Sequence, residues 1–373
     1  MDVLYLAALC AVPGLGRVKL PQLISRLGSA QAVYEASANQ LLPTGLCRPE
    51  GVATFLAARQ NDLPQKLDYF CRQQGVRLLS IYDEDYPQSL KEINDPPLVL
   101  YVKGNLPQTP YNMGIVGSRA ASHYGIRAAE FFARAMAKEN IPVISGGARG
   151  IDTAAHQGCL QEGGITVAVL GCGIDIAYPP DNEALFQRIA AKGAVISEYP
   201  PGTSPRPQNF PARNRIIVGL SRGIIVAEAA RKSGALITAH IAADEGREVY
   251  CVPGNIFEGK SIGCHDLIRT GAKLVDGPQE IFEDVKNWYL AKQRQPLQPS
   301  IFDLPNAYPE PQPQPQLSQL GQQLYGLLEQ GPLSLEDLTE QSGADLATIS
   351  MELLNLQIEG YINQDVAQRY YRM

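Results

Sequence analysis

Between residues 112 and 270, short apolar runs alternate with helix-like stretches six times. The strand-like runs cover 113–116, 142–145, 166–170, 194–197, 223–227 and 248–252. The helix-like stretches cover 121–139, 151–161, 182–191, 213–220, 235–244 and 262–270. The strand-like runs are apolar throughout rather than alternating, the pattern of strands buried on both faces. Six such units in series predict an α/β fold, a Rossmann-like, doubly wound, mostly parallel sheet. In such a sheet ligands bind beyond the carboxyl ends of the strands.

Each of those ends is distinctive here. The second strand runs into SGGARGIDTAAH, residues 145–156. A glycine turn between a strand and a helix start leaves backbone N–H groups facing outward, and Arg149 adds a full positive charge, which together suit a phosphate. A plain strand-to-helix connection is the competing reading. The first strand ends in Gly117-Ser118-Arg119, the fourth leads to Phe210-Pro-Ala-Arg213-Asn-Arg215, and the fifth to Arg231-Lys232-Ser233. Arginine forks with small hydrogen-bonding neighbours fit phosphates, and an aromatic among them fits a stacked base. A single arginine of this kind reads as a solvated surface charge; four clusters on one rim point to a polyanion.

Three enzyme readings compete for that rim. A nicotinamide cofactor site lacks its G-x-G-x-x-G fingerprint and an acidic residue at the end of the second strand. Residues 254–261, GNIFEGKS, match G-x-x-x-x-G-K-[ST] letter for letter. However, Glu258 would set a carboxylate beside the triphosphate, and Ile256 and Phe257 are bulky for a phosphate cradle. A hydrolase could use Glu198, Glu228 or Asp152 as general base, but no histidine or metal cluster supports it, since His156 and His240 fall inside helices. The expectation is a protein without catalytic residues, cofactor or metal.

The flanks are different in kind. Residues 1–70 read as a small helical domain of helix-hairpin-helix or SAM-like type, with PGLG at 13–16 as the hairpin; a plain helix–helix turn is equally compatible. Strand-like runs at 75–81 and 96–104 connect it to the sheet domain, 75–290. Residues 295–316 hold seven prolines and read as an extended linker. Residues 317–373 suggest three short helices and a two-stranded wing, a winged helix, with Ser334 as an N-cap. That segment carries eight acidic residues against two basic. Its surplus equals the whole chain's formal charge of −6, so residues 1–316 are neutral overall. A recognition helix with Asp345, Glu352 and Glu359 and no basic residue is a poor DNA reader, and points to protein binding or autoregulation. No apolar run reaches the length of a membrane span, and residues 1–12 lack the basic start of a secretion signal. Seven scattered cysteines without a CxxC pair fit a reducing cytoplasm.

The segments VGSRAASHYG (116–125), ISGGARGIDTAAH (144–156), VLGCGIDIAYPPDN (169–182), SEYPPG (197–202), FPARNRIIVGLS (210–221), KSGALITA (232–239), REVYCVPG (247–254) and GCHDLIRTGAKLV (263–275) resemble the DNA-processing protein A family, DprA/Smf. The resemblance spans about 75–300. It implies a Rossmann-like domain that binds single-stranded DNA without sequence preference, loads RecA recombinase onto incoming DNA during natural transformation, and forms a homodimer. It implies a DNA pocket made of Gly117, Ser118, Arg119, Arg149, Phe210, Arg213 and Arg215, with Lys232 as a weaker member. Ile268 and Leu274 are candidates for the dimer contact, with core packing as the alternative. On this reading, Arg149→Ala or Arg215→Ala removes most of the DNA affinity and leaves the fold intact.

Overall fold

The computed structural model describes residues 2–15, 17–294, 317–358, 361–365 and 368–372. It divides into two compact units, Met1–Arg294 and Gln295–Met373. The proline-rich stretch assigned to a linker, 295–316, lies outside the described residues.

The first unit opens with six helices: α1 (Asp2–Ala11), α2 (Leu20–Leu27), α3 (Ala30–Glu35), α4 (Ala38–Leu41), α5 (Pro49–Ala58) and α6 (Leu63–Gln74). The sequence reading set residues 1–70 apart from 75–290, yet in the structure the two share a core. Leu6, Tyr34 and Phe55 are buried in one cluster with Tyr101, Leu170 and Phe186.

A nine-stranded sheet follows. Its strands are β1 (Val76–Ser80), β2 (Val99–Gly104), β3 (Met113–Gly117), β4 (Val143–Ser145), β5 (Thr166–Leu170), β6 (Ala194–Ser197), β7 (Gly223–Glu228), β8 (Glu248–Cys251) and β9 (Lys273–Leu274). The order is β1-β2-β6-β5-β4-β3-β7-β8-β9. From β3 the chain steps outward through β4 and β5 to β6, then returns to lay β7 on the other side of β3. The strand order therefore reverses between β3 and β7. All pairs from β6 to β9 are parallel. The two strands read as a connector, β1 and β2, instead extend the same sheet as antiparallel partners, β2 against β6.

Helices cover both faces, which is why β3 to β7 are almost wholly buried. On one face lie α8 (His123–Lys138), α9 (Ile151–Gln161), α10 (Glu183–Lys192) and α14 (Gln279–Arg294). On the other lie α11 (Asn209–Leu220), α12 (Gly234–Asp244) and α13 (Ile262–Arg269). Along β7 the side chains alternate: Ile224 and Val226 pack toward α11, α12 and α13, Ile225 and Ala227 toward α8, α9 and α14. The sequence reading placed the start of α11 at Arg213. The helix begins four residues earlier because Pro211 falls in its first turn, where a missing N–H costs nothing.

The second unit is a winged helix: α15 (Gln319–Leu327), α16 (Leu335–Ser342), α17 (Leu346–Ile358) and a wing of β10 (Ile362–Gln364) against β11 (Tyr370–Arg372). Ser334 caps α16 as expected, accepting from the Asp337 N–H at 3.1 Å and returning its own N–H to Asp337 at 3.0 Å. No helix among the described residues is long and apolar enough to cross a membrane.

One buried polar group in the sheet unit has a consequence for stability. His156 on α9 is fully buried, with Nδ1 2.7 Å from the Thr166 hydroxyl. That hydroxyl donates to the Val143 carbonyl at 2.7 Å, so the imidazole donates from Nδ1 and is neutral. Burial and the nearby Arg213 charge push its pKa down to about 3. The unfolded chain takes up this proton below its ordinary pKa of about 6.5. The contribution of His156 to stability is therefore complete above that value and is lost as pH falls toward 3. The loss should approach about 1.4 kcal/mol per pH unit. Denaturant unfolding between pH 7 and pH 4 should show this slope, and His156→Leu should flatten it. An unchanged slope in the variant would refute the assignment.

Candidate functional site

A cavity of about 620 Å³ opens where the strand order reverses, beyond the carboxyl ends of β3, β4 and β7. One wall is the exit of β3, Gly117, Ser118 and Arg119. A second is the turn after β4, with Ala148 and Asp152. The first turns of α11 supply Phe210 and Arg213, and the start of α12 brings Lys232 and Ser233.

These walls are tied together by backbone. The Ser118 N–H donates to the Glu228 carbonyl at 2.8 Å, and the Ser118 carbonyl accepts from the Ile151 N–H at 3.2 Å. The second bond places the start of α9 against the end of β3. Gly150, with φ of 79°, makes that approach possible, because a Cβ there would lie 2.3 Å from the Ser118 oxygen.

At the cavity mouth the Arg119 guanidinium sits over the Phe210 ring, 4.9 Å from its centroid. The Tyr178 ring packs on Phe210 with centroids 5.4 Å apart. Tyr178, in the loop after β5, was not singled out from the sequence; its only signal is an aromatic just past a strand end. Together the three side chains form a cationic, aromatic platform, its two rings tilted by 39° to each other. Arg119 and Lys232 are exposed.

Beneath this platform lies a buried charge pair. Arg213 is 3% exposed, and its Nη1 donates to the Gly146 carbonyl at 2.6 Å. Asp152, also buried, accepts from the Ala148 N–H at 3.2 Å. A Cβ on Gly146 would lie 2.6 Å from both Arg213 Nη2 and Asp152 Oδ2, so any larger residue there would displace one of the two side-chain ends. Burial raises the Asp152 pKa, opposed by the charge of Arg213. Burial lowers Arg213 to about 10, opposed by Asp152. Arg213 thus remains cationic at neutral pH, and its role is to hold the floor.

The sequence reading grouped Arg215 and Arg149 with these residues, and the structure separates them. Arg215 is two residues beyond Arg213 on a helix, and such neighbours point to different faces. Its Nε donates to Asp95 at 2.9 Å and its Nη2 to Glu198 at 2.6 Å, away from the cavity. Arg149 is exposed and does not line the cavity; it pairs with Asp181 at 2.6 Å. Of the candidate dimer residues, Ile268 on α13 is half-buried and Leu274 on β9 is 49% exposed.

The carboxylates considered as general bases are occupied. Glu228 is 1% exposed and accepts from the Ser122 N–H at 2.9 Å and from the Ser122 hydroxyl, at the start of α8. Glu198 holds Arg215, and Asp152 sits with Arg213. The loop at 254–261 is closed on itself. The Gly254 N–H donates to His265 Nε2 at 3.3 Å and the Phe257 N–H to Asn255 Oδ1 at 2.9 Å. Ser261 is buried against Gly254, where an added Cβ would meet its hydroxyl at 2.0 Å. Two amides that a phosphate cradle would need are therefore taken.

These placements separate binding from folding. Arg213→Ala should lower the melting temperature, because it removes the bond to the Gly146 carbonyl and empties a buried site beside Asp152. Arg215→Ala should also lower the melting temperature, through Glu198 and Asp95. Arg119→Ala should leave it unchanged. Thermal unfolding of the three variants measures this, and an Arg119→Ala variant as destabilised as Arg213→Ala would refute the division.

Comparison with known proteins agrees with this architecture. Residues 77–286 match the family model described as DNA recombination-mediator protein A, and residues 308–366 match the DprA winged helix domain. Protein Smf of Synechocystis is 33% identical over 99% of this chain and 98% of its own length. The DNA processing protein DprA of Streptococcus pneumoniae is 48% identical over 55% of this chain and 73% of its own. The X-ray structure of the S. pneumoniae protein superposes with a TM-score of 0.63 at 36% identity, covering 76% of this chain and 97% of that one. A Helicobacter pylori DNA processing protein A structure, described for its single-stranded DNA binding mode, gives a TM-score of 0.52 at 29% identity, covering 58% and 96%. The chain belongs to the DNA recombination-mediator protein A family.

Proposed function

We propose that this protein binds single-stranded DNA, without sequence preference, in the cavity at the β3/β7 switch point. The observation that carries this reading is the platform of Arg119 over Phe210, with Tyr178 behind it. A flat aromatic next to fixed positive charge takes the face of any base and the phosphate beside it. Exposed Lys232 supplies a further phosphate contact, and Arg149 lies at the next strand end. The H. pylori relative, described for its binding of single-stranded DNA, supports the same ligand.

Bound DNA is then passed to RecA recombinase, in recombination of incoming strands during natural transformation. The protein acts without catalysis, since the carboxylates on the rim serve as structural partners. It works as a homodimer through the exposed edge β9 and α13, where Leu274 and Ile268 lie. The seven cysteines are free thiols, which suits the cytoplasm.

Fluorescence anisotropy of a labelled oligothymidine tests the reading, single- and double-stranded, over a salt series, with and without ATP. Tight binding to the single strand, indifferent to ATP, is expected. Its log–log salt slope should be about −0.7 per phosphate contacted. Arg119→Ala should shallow the slope by about 0.7. Phe210→Ala should cost about 1–3 kcal/mol. Equal affinity for duplex, or binding that needs ATP, would overturn the proposal. Leu274→Arg should convert the dimer to a monomer in sedimentation; a persistent dimer would place the contact elsewhere.

A further inference from the structure

We propose that the loop 254–261 is a second stacking station for the same single strand, with Phe257 taking a base and Lys260 a phosphate. This inference rests on the proposed DNA-binding function and extends its site along the rim of the sheet.

Phe257 is 89% exposed and its neighbour Ile256 is 69% exposed. Such a pair at a loop tip would ordinarily be free to fold back, but this tip is pinned. The Asn255 side chain accepts from the Phe257 N–H and donates to Glu258 Oε1 at 3.1 Å. The root of the loop is fixed by the His265 contact and by Ser261 against Gly254. These bonds order the backbone that carries Phe257 before any ligand arrives, which lowers the ordering cost of binding. The same hydrogen bonds that close the loop to a nucleotide triphosphate therefore prepare it for a flat ligand. The one acidic side chain at the tip, Glu258, accepts from the Asn255 amide and lines the same cavity as Lys260, so the strand's phosphate must sit on the Lys260 side.

The loop lines a second cavity on the same rim. Ser118, Arg119 and Ala120 line the first cavity, and Ser122 and Tyr124 line the second, of about 440 Å³, with Asn255, Lys260 and Ser261 opposite. The segment between the two is anchored on Glu228, whose carbonyl holds Ser118 and whose carboxylate holds Ser122. Tyr124 Oη donates to the Pro253 carbonyl at 2.5 Å, which fastens this rail to the root of the loop. Arg119 and Tyr124 are five positions apart in the chain, so their Cα atoms are within about 17 Å, the reach of an extended chain. A strand leaving the Arg119 platform along this rail meets half-exposed Tyr124 and then exposed Lys260. Alternating aromatic and basic side chains are the pattern by which single strands are tracked without reading sequence.

The test compares two oligothymidines, of about 6 and about 20 nucleotides, which bracket the site sizes usual for one such domain. The 20-mer also carries one 2-aminopurine, moved along the strand, whose fluorescence falls when it stacks on an aromatic ring. Phe257→Ala should weaken the 20-mer about 5- to 100-fold, leave the 6-mer unchanged, and abolish quenching at one position of the probe. Lys260→Gln should shallow the 20-mer salt slope by about 0.7. Arg119→Ala should weaken both lengths. The Phe257 side chain is exposed, so an unchanged melting temperature confirms that the variant is folded. If Arg119→Ala weakens both lengths while Phe257→Ala matches the parent on the 20-mer and keeps every quench, the inference is overturned and the proposed function stands. If the parent protein binds neither length, both fall.

Discussion

The contact between Arg213 and the Gly146 carbonyl organises the ligand-facing rim of this molecule. It joins the first turns of α11 to the end of β4 across the point where the strand order reverses. The Asp152 carboxyl lies close to the same glycine, where a Cβ would sit 2.6 Å from both Arg213 Nη2 and Asp152 Oδ2. Because α11 is fixed there, Phe210 three residues earlier lies on the same helix face and is presented to Arg119. The platform proposed for binding thus depends on a buried arginine that a ligand need never touch.

The same economy of charge explains why acidic residues crowd a rim proposed to bind a polyanion. Glu228, Glu198 and Asp152 would repel phosphate if they were free. Each is instead consumed: Glu228 by the start of α8, Glu198 by Arg215, Asp152 by Arg213. What remains facing solvent is the positive half of the set, Arg119 and Lys232. A group that looks like a general base in sequence becomes, once its partners are placed, the means of fixing a strand end.

The six βα units were legible because strands covered on both faces must be apolar throughout, and each boundary fell within a few residues of its helix or strand. The roles of individual arginines were less legible. Arg213 and Arg215 are spelled alike and lie two residues apart, but on a helix that spacing sends them to different faces. Both already fell inside the helix read at 213–220; which face is buried, and so which arginine lines the cavity, depends on partners the sequence does not name. The antiparallel attachment of β1 and β2 was not legible at all, since residue pattern records burial and not the identity of the neighbouring strand. Tyr178 was missed for a related reason: its partner Phe210 is 32 residues away, brought near only by the return of the chain across the sheet.

Charge also divides labour between the two units. The winged helix keeps the architecture of a DNA reader, but α17 presents Leu346, Met351 and Leu354 to solvent, each more than half exposed, with Asp345 and Glu352 beside them. Phosphate binding depends on releasing counterions with positive charge, and this helix offers none. An exposed apolar stripe with an acidic border suits a protein surface instead. The sheet unit carries two more basic than acidic residues, and Arg119 and Lys232 are exposed at its cavity mouth. A net charge of −6 is therefore no argument against a DNA-binding role, because the surplus resides in the unit least suited to touch DNA.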